Sequence, residues 1–600
     1  MKTSKFFMFA AVAVAAISCT KEITPADNET PEANLIPMTF TTASDADTKV
    51  AYEGGATVWK VGDKIQVIAS TGTATEFTAT AVTDGGTKAT FEGLTEDAET
   101  YYAVSPASAY VGNDIANGQI YANIPQTQTA VAGTFDPKAF LSIASNEGST
   151  LYFKNSCAVF GFKLQNPAGV KSVRLTGNGQ TNIAGTGVIK TDNIPTHGYD
   201  KTYAGGTSFD MITLNAPEGG FVADTYYYLT IRANRCPNGI KVYVEYDDQV
   251  KTRASENCPF PNGSINRICK LGVLDQNLTD ILPYDSYQMG FDLVVGDNVY
   301  NKAVNGDAVK VIADGTSMYT AFNKGGIRFL DPAADGAIVL HSNVAVSADA
   351  ILVGNVNSGK VLVDMNGKNV NHTAKTIALK NLELDTDAYT NYVFANNNAT
   401  ADADAFILDN CSVTGLVKPL WYVNIEGYTL KNVTMVNTDI ALTGATNIID
   451  LAKTTSRENE FVSFKNCILY STTNLVSRIV NNTQKLTEYS ADVVFENNTV
   501  FNLHAGSNNG LLHMVGANSV TFMNNLVNFY SLNGTEYIIR IWQNNPAYTV
   551  ANNYFWARAS SGIPNDLTFY SNVMVQAASA NVTSGSYPYT STVSGAGATR

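Results

Sequence analysis

The sequence predicts an all-β protein, with two tandem β-sandwich modules followed by a parallel β-helix. Three observations lead there. Short strands separated by Gly, Asp and Asn turns fill the first half, which has no amphipathic helix longer than two turns. An apolar residue, a variable residue and an asparagine recur through the second half. Charged residues make up only 15% of the chain and hydrophobic ones 45%, so the cores are ample and small polar residues fill the remainder.

The repeat carries the most information. Its copies are Leu379-Lys380-Asn381, Leu408-Asp409-Asn410, Leu430-Lys431-Asn432, Phe464-Lys465-Asn466, Phe495-Glu496-Asn497, Phe522-Met523-Asn524 and Val550-Ala551-Asn552. The asparagines are 29, 22, 34, 31, 27 and 28 residues apart, a period that marks stacked repeats. β-branched and aromatic residues flank each copy, as in Val493-Val494-Phe495 and Thr499-Val500-Phe501, so the unit is strand–turn–strand. Asn suits the tight corner because it tolerates the left-handed region, and stacked amides can bond rung to rung.

Taken in order, the chain opens on an expected export signal over 1–18. Lys2 and Lys5 precede an apolar run from Phe6 to Ile17, which is too short to span a bilayer. Ala16-Ile17-Ser18-Cys19 resembles a bacterial lipobox, which makes Cys19 the expected lipidation site. Residues 19–36 are polar and proline-containing and read as a flexible tether, with Lys21 and Glu22 resembling a surface-export signal. An outer-membrane lipoprotein exposed at the cell surface is therefore expected.

The sandwiches are expected over 37–145 and 146–275. Their pieces are Met38-Thr39-Phe40-Thr41, Thr48-Lys49-Val50, Val58-Trp59-Lys60-Val61-Gly62-Asp63-Lys64-Ile65, Tyr101-Tyr102-Ala103-Val104-Ser105-Pro106, Ile124-Pro125-Gln126-Thr127-Gln128 and Leu151-Tyr152-Phe153-Lys154-Asn155. Gly62-Asp63 reads as a hairpin turn and Trp59 as a core residue. In order and spacing these pieces resemble the fimbrillin-like (Mfa-like) family of Bacteroidetes lipoproteins over roughly residues 35–275. That resemblance implies pilus subunits or surface-displayed lipoproteins. The further 300 or so residues depart from a pilus subunit and suggest a stalk that carries another domain.

Residues 276–290 read as a linker, 291–580 as the β-helix and 581–600 as a tail or cap. The β-helix region resembles pectate-lyase-like domains of unknown function, which implies a right-handed coil and no particular chemistry. Cys411 and Cys467 each follow a repeat asparagine, two rungs apart across Val433, and read as core. Cys236 with Cys258 or Cys269 stays open as a disulfide. No CxxC suggests zinc.

A second ladder lies between the corners: Leu420-Trp421-Tyr422-Val423-Asn424, Ile448-Ile449-Asp450-Leu451-Ala452, Val476-Ser477-Arg478-Ile479-Val480, Leu511-Leu512-His513-Met514-Val515 and Ile538-Ile539-Arg540-Ile541-Trp542. With Trp421, Ile449, Leu512 and Ile539 inward, strand alternation puts Tyr422, Asp450, Arg478, His513 and Arg540 in one outward column, with Asn424 and Trp542 beside it. Hydrogen-bonding groups flanked by aromatics suit a linear polysaccharide, whose ring faces stack on aromatic side chains. The plainer reading is that Asp450 pairs with Arg478 and His513 satisfies a neighbour. Tyr554-Phe555-Trp556 presents a ring outward or caps the last rung.

Chemistry is harder to place there. A β-helix lyase needs a base, which Arg478 or Arg540 can supply, and clustered carboxylates for calcium, where the column offers only Asp450. The only Asp-Asp, Asp247-Asp248, lies in the sandwich half, and no carboxylate pair is placed for glycoside hydrolysis. The expectation is polysaccharide binding without cleavage, with no cofactor and calcium unsupported. A lyase or hydrolase and a structural pilus-associated component are the alternatives. A net charge of −14 argues against nucleic acid and disfavours polyanionic glycans unless a local basic patch offsets it. The expected partners are a polysaccharide, the outer membrane through the anchor, and a surface protein complex.

Overall fold

The structure is a computed structural model. It describes residues 34–42, 51–53, 56–178, 182–196, 208–232, 236, 238–247, 249–255, 268–311, 315–334, 336–372, 375–396, 402–423, 428–451, 459–482, 491–506, 509–529, 537–541, 546–557, 567–569, 573–575 and 597–598. Cys19, the export signal and the tether up to residue 33 therefore lie outside the described residues. With 57% strand against 7% helix, the chain is all-β.

The first module closes on itself. Leu35–Thr42, Thr150–Asn155, Ser142–Glu147, Tyr101–Ser105, Lys64–Ala69, Ala74–Thr83 and Lys88–Glu96 form a barrel in that order. Leu35–Thr42 shuts it, running antiparallel to Lys88–Glu96 and parallel to Thr150–Asn155. Closure removes the sheet edges that an open module would expose. Trp59 is 2% exposed and meets Phe91 and Phe153 edge-on, each ring centroid 5.2 Å away. The Gly62–Asp63 turn forms, with Gly62 at φ 92°. It is not a hairpin, because it joins Ala56–Val58 to Lys64–Ala69, and these pair with other strands.

Strand pairing interleaves the two modules. Gln119–Ile124 pairs with Ala184–Lys190, and Thr127–Thr129 pairs with Met211–Asn215. Residue 145 lies within the barrel strand Ser142–Glu147. The second core gathers Phe160, Phe162, Val173, Leu214, Leu229 and Val244.

The segment after it is a packed wedge. Pro283 opens a helix over Pro283–Gln288, where its missing N–H costs nothing. A hairpin of Leu293–Val295 and Asn298–Tyr300 follows. Tyr287, Leu293 and Val295 cover Phe329, Ile351, Val353 and Ile407 on the outside of the coil. On the other side, the Arg174 guanidinium lies 3.7 Å from the Phe291 ring centroid and pairs with Glu245 at 2.9 Å.

The second half is a coil of three parallel sheets with ten, nine and eight strands. The first runs from Val309–Val311 to Ala547–Ala551, the second from Ile338–Val339 to Tyr554–Ala557, and the third from Val344–Val346 to Tyr537–Ile541. Helix Gly315–Lys324 adds Met318, Ala321 and Phe322 to the core at one end. Inside, like stacks on like: Phe495 meets Phe464 at 5.8 Å and Phe522 at 5.3 Å.

The corner between the first two sheets corrects one copy of the repeat. Asn381, Asn410, Asn437, Asn466, Asn497, Asn524 and Asn552 all have φ between 49° and 56°. Asn432 instead lies inside the strand Leu430–Val436, its amide donating to the Asp404 carbonyl at 2.9 Å. With Asn437 in place the spacings become 29, 27, 29, 31, 27 and 28, and the irregular pair disappears. Asn410 donates to Asn381 at 2.8 Å and Asn466 to Asn437 at 2.6 Å, a partial ladder.

A fuller ladder runs one residue later, inside the coil. Leu382, Cys411, Thr438, Cys467, Asn498, Asn525 and Asn553 are all buried. The rung between the two cysteines therefore holds Thr438 and not Val433. Asn525 accepts from the Asn498 backbone N–H at 2.9 Å and donates to Asn553 at 2.9 Å and to the Phe495 carbonyl at 2.8 Å. Near the end of the chain, Gly597 donates its N–H to the Asn524 carbonyl at 2.7 Å and Ala598 to the Thr499 hydroxyl oxygen at 3.0 Å.

Candidate functional site

The third sheet is built from strands of two to five residues, and its register places the site. Trp421–Tyr422 pairs with Ile449–Asp450, which pairs with Val480–Asn481. Asn481 then pairs with His513, and His513 with Arg540. The first residue of each pair faces the core, with Trp421, Ile449, Val480, Leu512 and Ile539 all 1% exposed or less. The outward column is therefore Tyr422, Asp450, Asn481, His513 and Arg540.

Arg478 is not in that column. Val476 ends the second-sheet strand Ile468–Val476, and Ser477 to Ile479 form the corner before Val480. What resembled one alternating strand spans two elements. The corrected column has spacings of 28, 31, 32 and 27 residues. Carrying the same register back to the corner aligns Tyr392, Pro419, Asn447 and Arg478 in a second, parallel column. Asn424 and Trp542 lie outside the described residues, as do the side chains of Tyr554, Phe555 and Trp556.

The two columns are tied by polar contacts. Asp450 accepts from Asn481 at 2.9 Å through one oxygen and from Asn447 at 3.0 Å through the other. The Arg478 guanidinium donates to the Asn481 side-chain oxygen. Arg478 thus reaches Asp450 through an amide and does not pair with it directly. Burial acts most strongly against its ionised form; the Asp450 charge favours that form, and Arg540 opposes it.

His513 also departs from the expectation, because it is 0% exposed and not part of an exposed row. Burial first, then the charges of Arg478 and Arg540, push its pKa down to about 3. At neutral pH it is an uncharged imidazole within electrostatic reach of two cations. Asn481 is also buried, at 4% exposed, whereas Tyr422, Asp450, Arg478 and Arg540 remain partly exposed.

At the other end the columns open into a groove of about 610 Å³, lined by Asn391, Tyr392, Lys418, Tyr422, Asn447 and Asp450. The rings of Tyr392 and Tyr422 stack, with centroids 5.7 Å apart and planes 26° from parallel. Sequence reasoning did not single out Tyr392, Lys418, Asn447 or Asn481. The signal for Tyr392, Asn447 and Arg478 was a corner series with Pro419, at spacings of 27, 28 and 31, which alternation cannot reveal.

Chemically, the arrangement offers a stacked aromatic pair, fixed amide and carboxylate groups, and two guanidinium groups. Among the described residues, no group of three or more His, Cys, Asp or Glu converges as a metal site, and no helix is long and apolar enough to cross a membrane.

No family model and no curated protein matches the chain. Among solved structures, it is similar to a candidate cell adhesion protein from Bacteroides ovatus ATCC 8483, at 14% identity and a TM-score of 0.25 over 41% of this chain and 95% of that one. It is also similar to the tip fimbrial protein Mfa3 from Porphyromonas gingivalis, at 10% identity and a TM-score of 0.19 over 45% of this chain and 98% of that one. A candidate adhesin from Bacteroides ovatus ATCC 8483 gives 7% identity and a TM-score of 0.19 over 43% and 100%. Likeness at this level is too loose to carry a function to this chain.

Proposed function

We propose that this protein is a lipid-anchored, cell-surface adhesin that holds a polysaccharide along the third sheet of its β-helix without cleaving it. The observation that carries the reading is the Tyr392–Tyr422 stack opening onto the hydrogen-bonded row of Asn447, Asp450 and Asn481. Partly exposed parallel rings give a sugar ring an apolar face to lie on. The fixed amides and carboxylate beside them meet its hydroxyls without paying again for ordering, since their partners already hold them in place. The fimbrillin-like half serves as the stalk, anchored through Cys19.

Binding without cleavage fits the same geometry. Both Asp450 oxygens are engaged by amides, and an imidazole with a pKa of about 3 is a poor proton acceptor for catalysis near neutral pH. The test is affinity electrophoresis of the full chain through polysaccharide-containing gels, alongside an assay for reducing ends and unsaturated products. Retardation by at least one polysaccharide is expected, with no product, and it should be weakened in Tyr392→Ala and Tyr422→Ala. Product formation would replace this reading with a lyase or hydrolase. Fibres without any glycan affinity would favour a structural component.

A further inference from the structure

We infer that the polysaccharide is acidic, with its anionic group seated at Arg478 and Arg540 while a sugar ring further along lies on Tyr392 and Tyr422. The inference rests on the glycan-binding reading above and specifies its ligand. It starts from a contrast in charge. The whole chain carries −14, yet the described residues of the two columns and the groove include Lys418, Arg478 and Arg540 against Asp450 alone, a local balance of 3 − 1 = +2. A patch of the minority sign on a strongly acidic protein attracts anions locally while the bulk of the surface repels them.

The patch is also arranged for an anion. Arg540 occupies the outward column, two rungs beyond Asn481, and Arg478 sits at the adjacent corner bonded to Asn481. The two guanidinium groups lie within electrostatic reach of one another, and each acts on the buried His513 imidazole. Asp450 is held by two amides one rung away on the Tyr422 side. A planar guanidinium fork matches a carboxylate or sulfate through paired hydrogen bonds. From Tyr422 to Arg540 the register spans four rungs, roughly 19 Å at the usual strand spacing, so one oligosaccharide can meet both ends.

The experiment compares three polymers in affinity gels with the full chain: hyaluronate (carboxylate), dextran sulfate (sulfate) and neutral dextran. At least tenfold tighter retention by one or both acidic polymers is expected, weakening as salt rises. Preference between the two identifies which anion the forks take. Arg540→Gln and Arg478→Gln should each cost about tenfold on the acidic polymer, whereas Arg540→Lys should keep the salt dependence. An unchanged melting profile separates loss of the site from loss of the fold. Tyr392→Ala should weaken the acidic polymers and dextran alike. Equal retention of dextran and the acidic polymers, unaffected by the arginine variants, would overturn the inference and leave the glycan-binding reading standing. Retention of no polysaccharide would remove both.

Discussion

Replacing Asn525 by Ala should destabilise the β-helix by about 3 kcal/mol. Its side chain is 0% exposed and uses its full bonding capacity. The oxygen accepts from the backbone N–H of Asn498 at 2.9 Å and from its amide at 3.1 Å; the nitrogen donates to the Phe495 carbonyl at 2.8 Å and to Asn553 at 2.9 Å. Truncation strands the Asn498 N–H and takes this donor from the Phe495 carbonyl. Each buried polar group left unmatched costs about 1–3 kcal/mol, and a small void adds to that. Asn525→Thr should cost only about 1 kcal/mol, because Thr438 holds the equivalent position and its hydroxyl accepts from the Cys411 N–H at 3.4 Å. The assay is urea denaturation read by hydrogen exchange in peptides covering residues 491–529. This isolates the coil from the other modules, whose separate unfolding would blur a global midpoint. A cost below about 0.5 kcal/mol for Ala, or equal costs for Ala and Thr, would refute the claim that inward amides stitch these rungs together.

Two further outcomes follow from other parts of the molecule. Arg174→Met should loosen the wedge by about 2 kcal/mol or more, since Glu245, 8% exposed, loses its cation and Phe291 its covering guanidinium; faster protease cleavage within 276–290 would register it, and unchanged cleavage with an unchanged melting temperature would refute it. His372, 0% exposed and edge-on to Trp421 at 5.3 Å, has its pKa lowered from 6.5 to about 4, mainly by burial. The unfolded chain therefore takes up a proton that the folded chain refuses as pH falls from about 6.5 to 4. The His372 contribution to stability should fall by roughly 3 kcal/mol across that window and be fully lost below it. Unfolding midpoints against pH should be flatter for His372→Phe than for the parent, and parallel curves would show that His372 is not responsible.

The coil was legible because its interior imposes a period. Most inward positions are apolar, so Phe464, Phe495 and Phe522 recur, and Asn recurs at the left-handed corner between the first two sheets. The same logic failed at Asn432, where Leu430-Lys431-Asn432 copies the motif inside a strand while the real corner, Asn437, follows Val436. The third sheet was harder to read. Strands of two residues carry almost no alternation, so the centre at Asn481 was displaced by three residues onto Arg478. Tyr392 sits at a corner, which strand alternation does not reach. The burial of His513 and the closure of the first barrel through Thr41 and Thr42 against Thr150 and Leu151 depend on segments far apart in the chain, which local patterns do not encode.

Because the coil adds rungs by simple translation, its inner and outer faces answer to different demands. Trp421, Ile449, Val480, Leu512 and Ile539 maintain the scaffold, while their outward neighbours are free to be Tyr, Asp, Asn, His or Arg. A change of chemistry on one storey leaves the apolar stack behind it in place and touches its neighbours only through outward ties such as that from Asn481 to Asp450. Such a surface can be rewritten letter by letter while the coil keeps its shape.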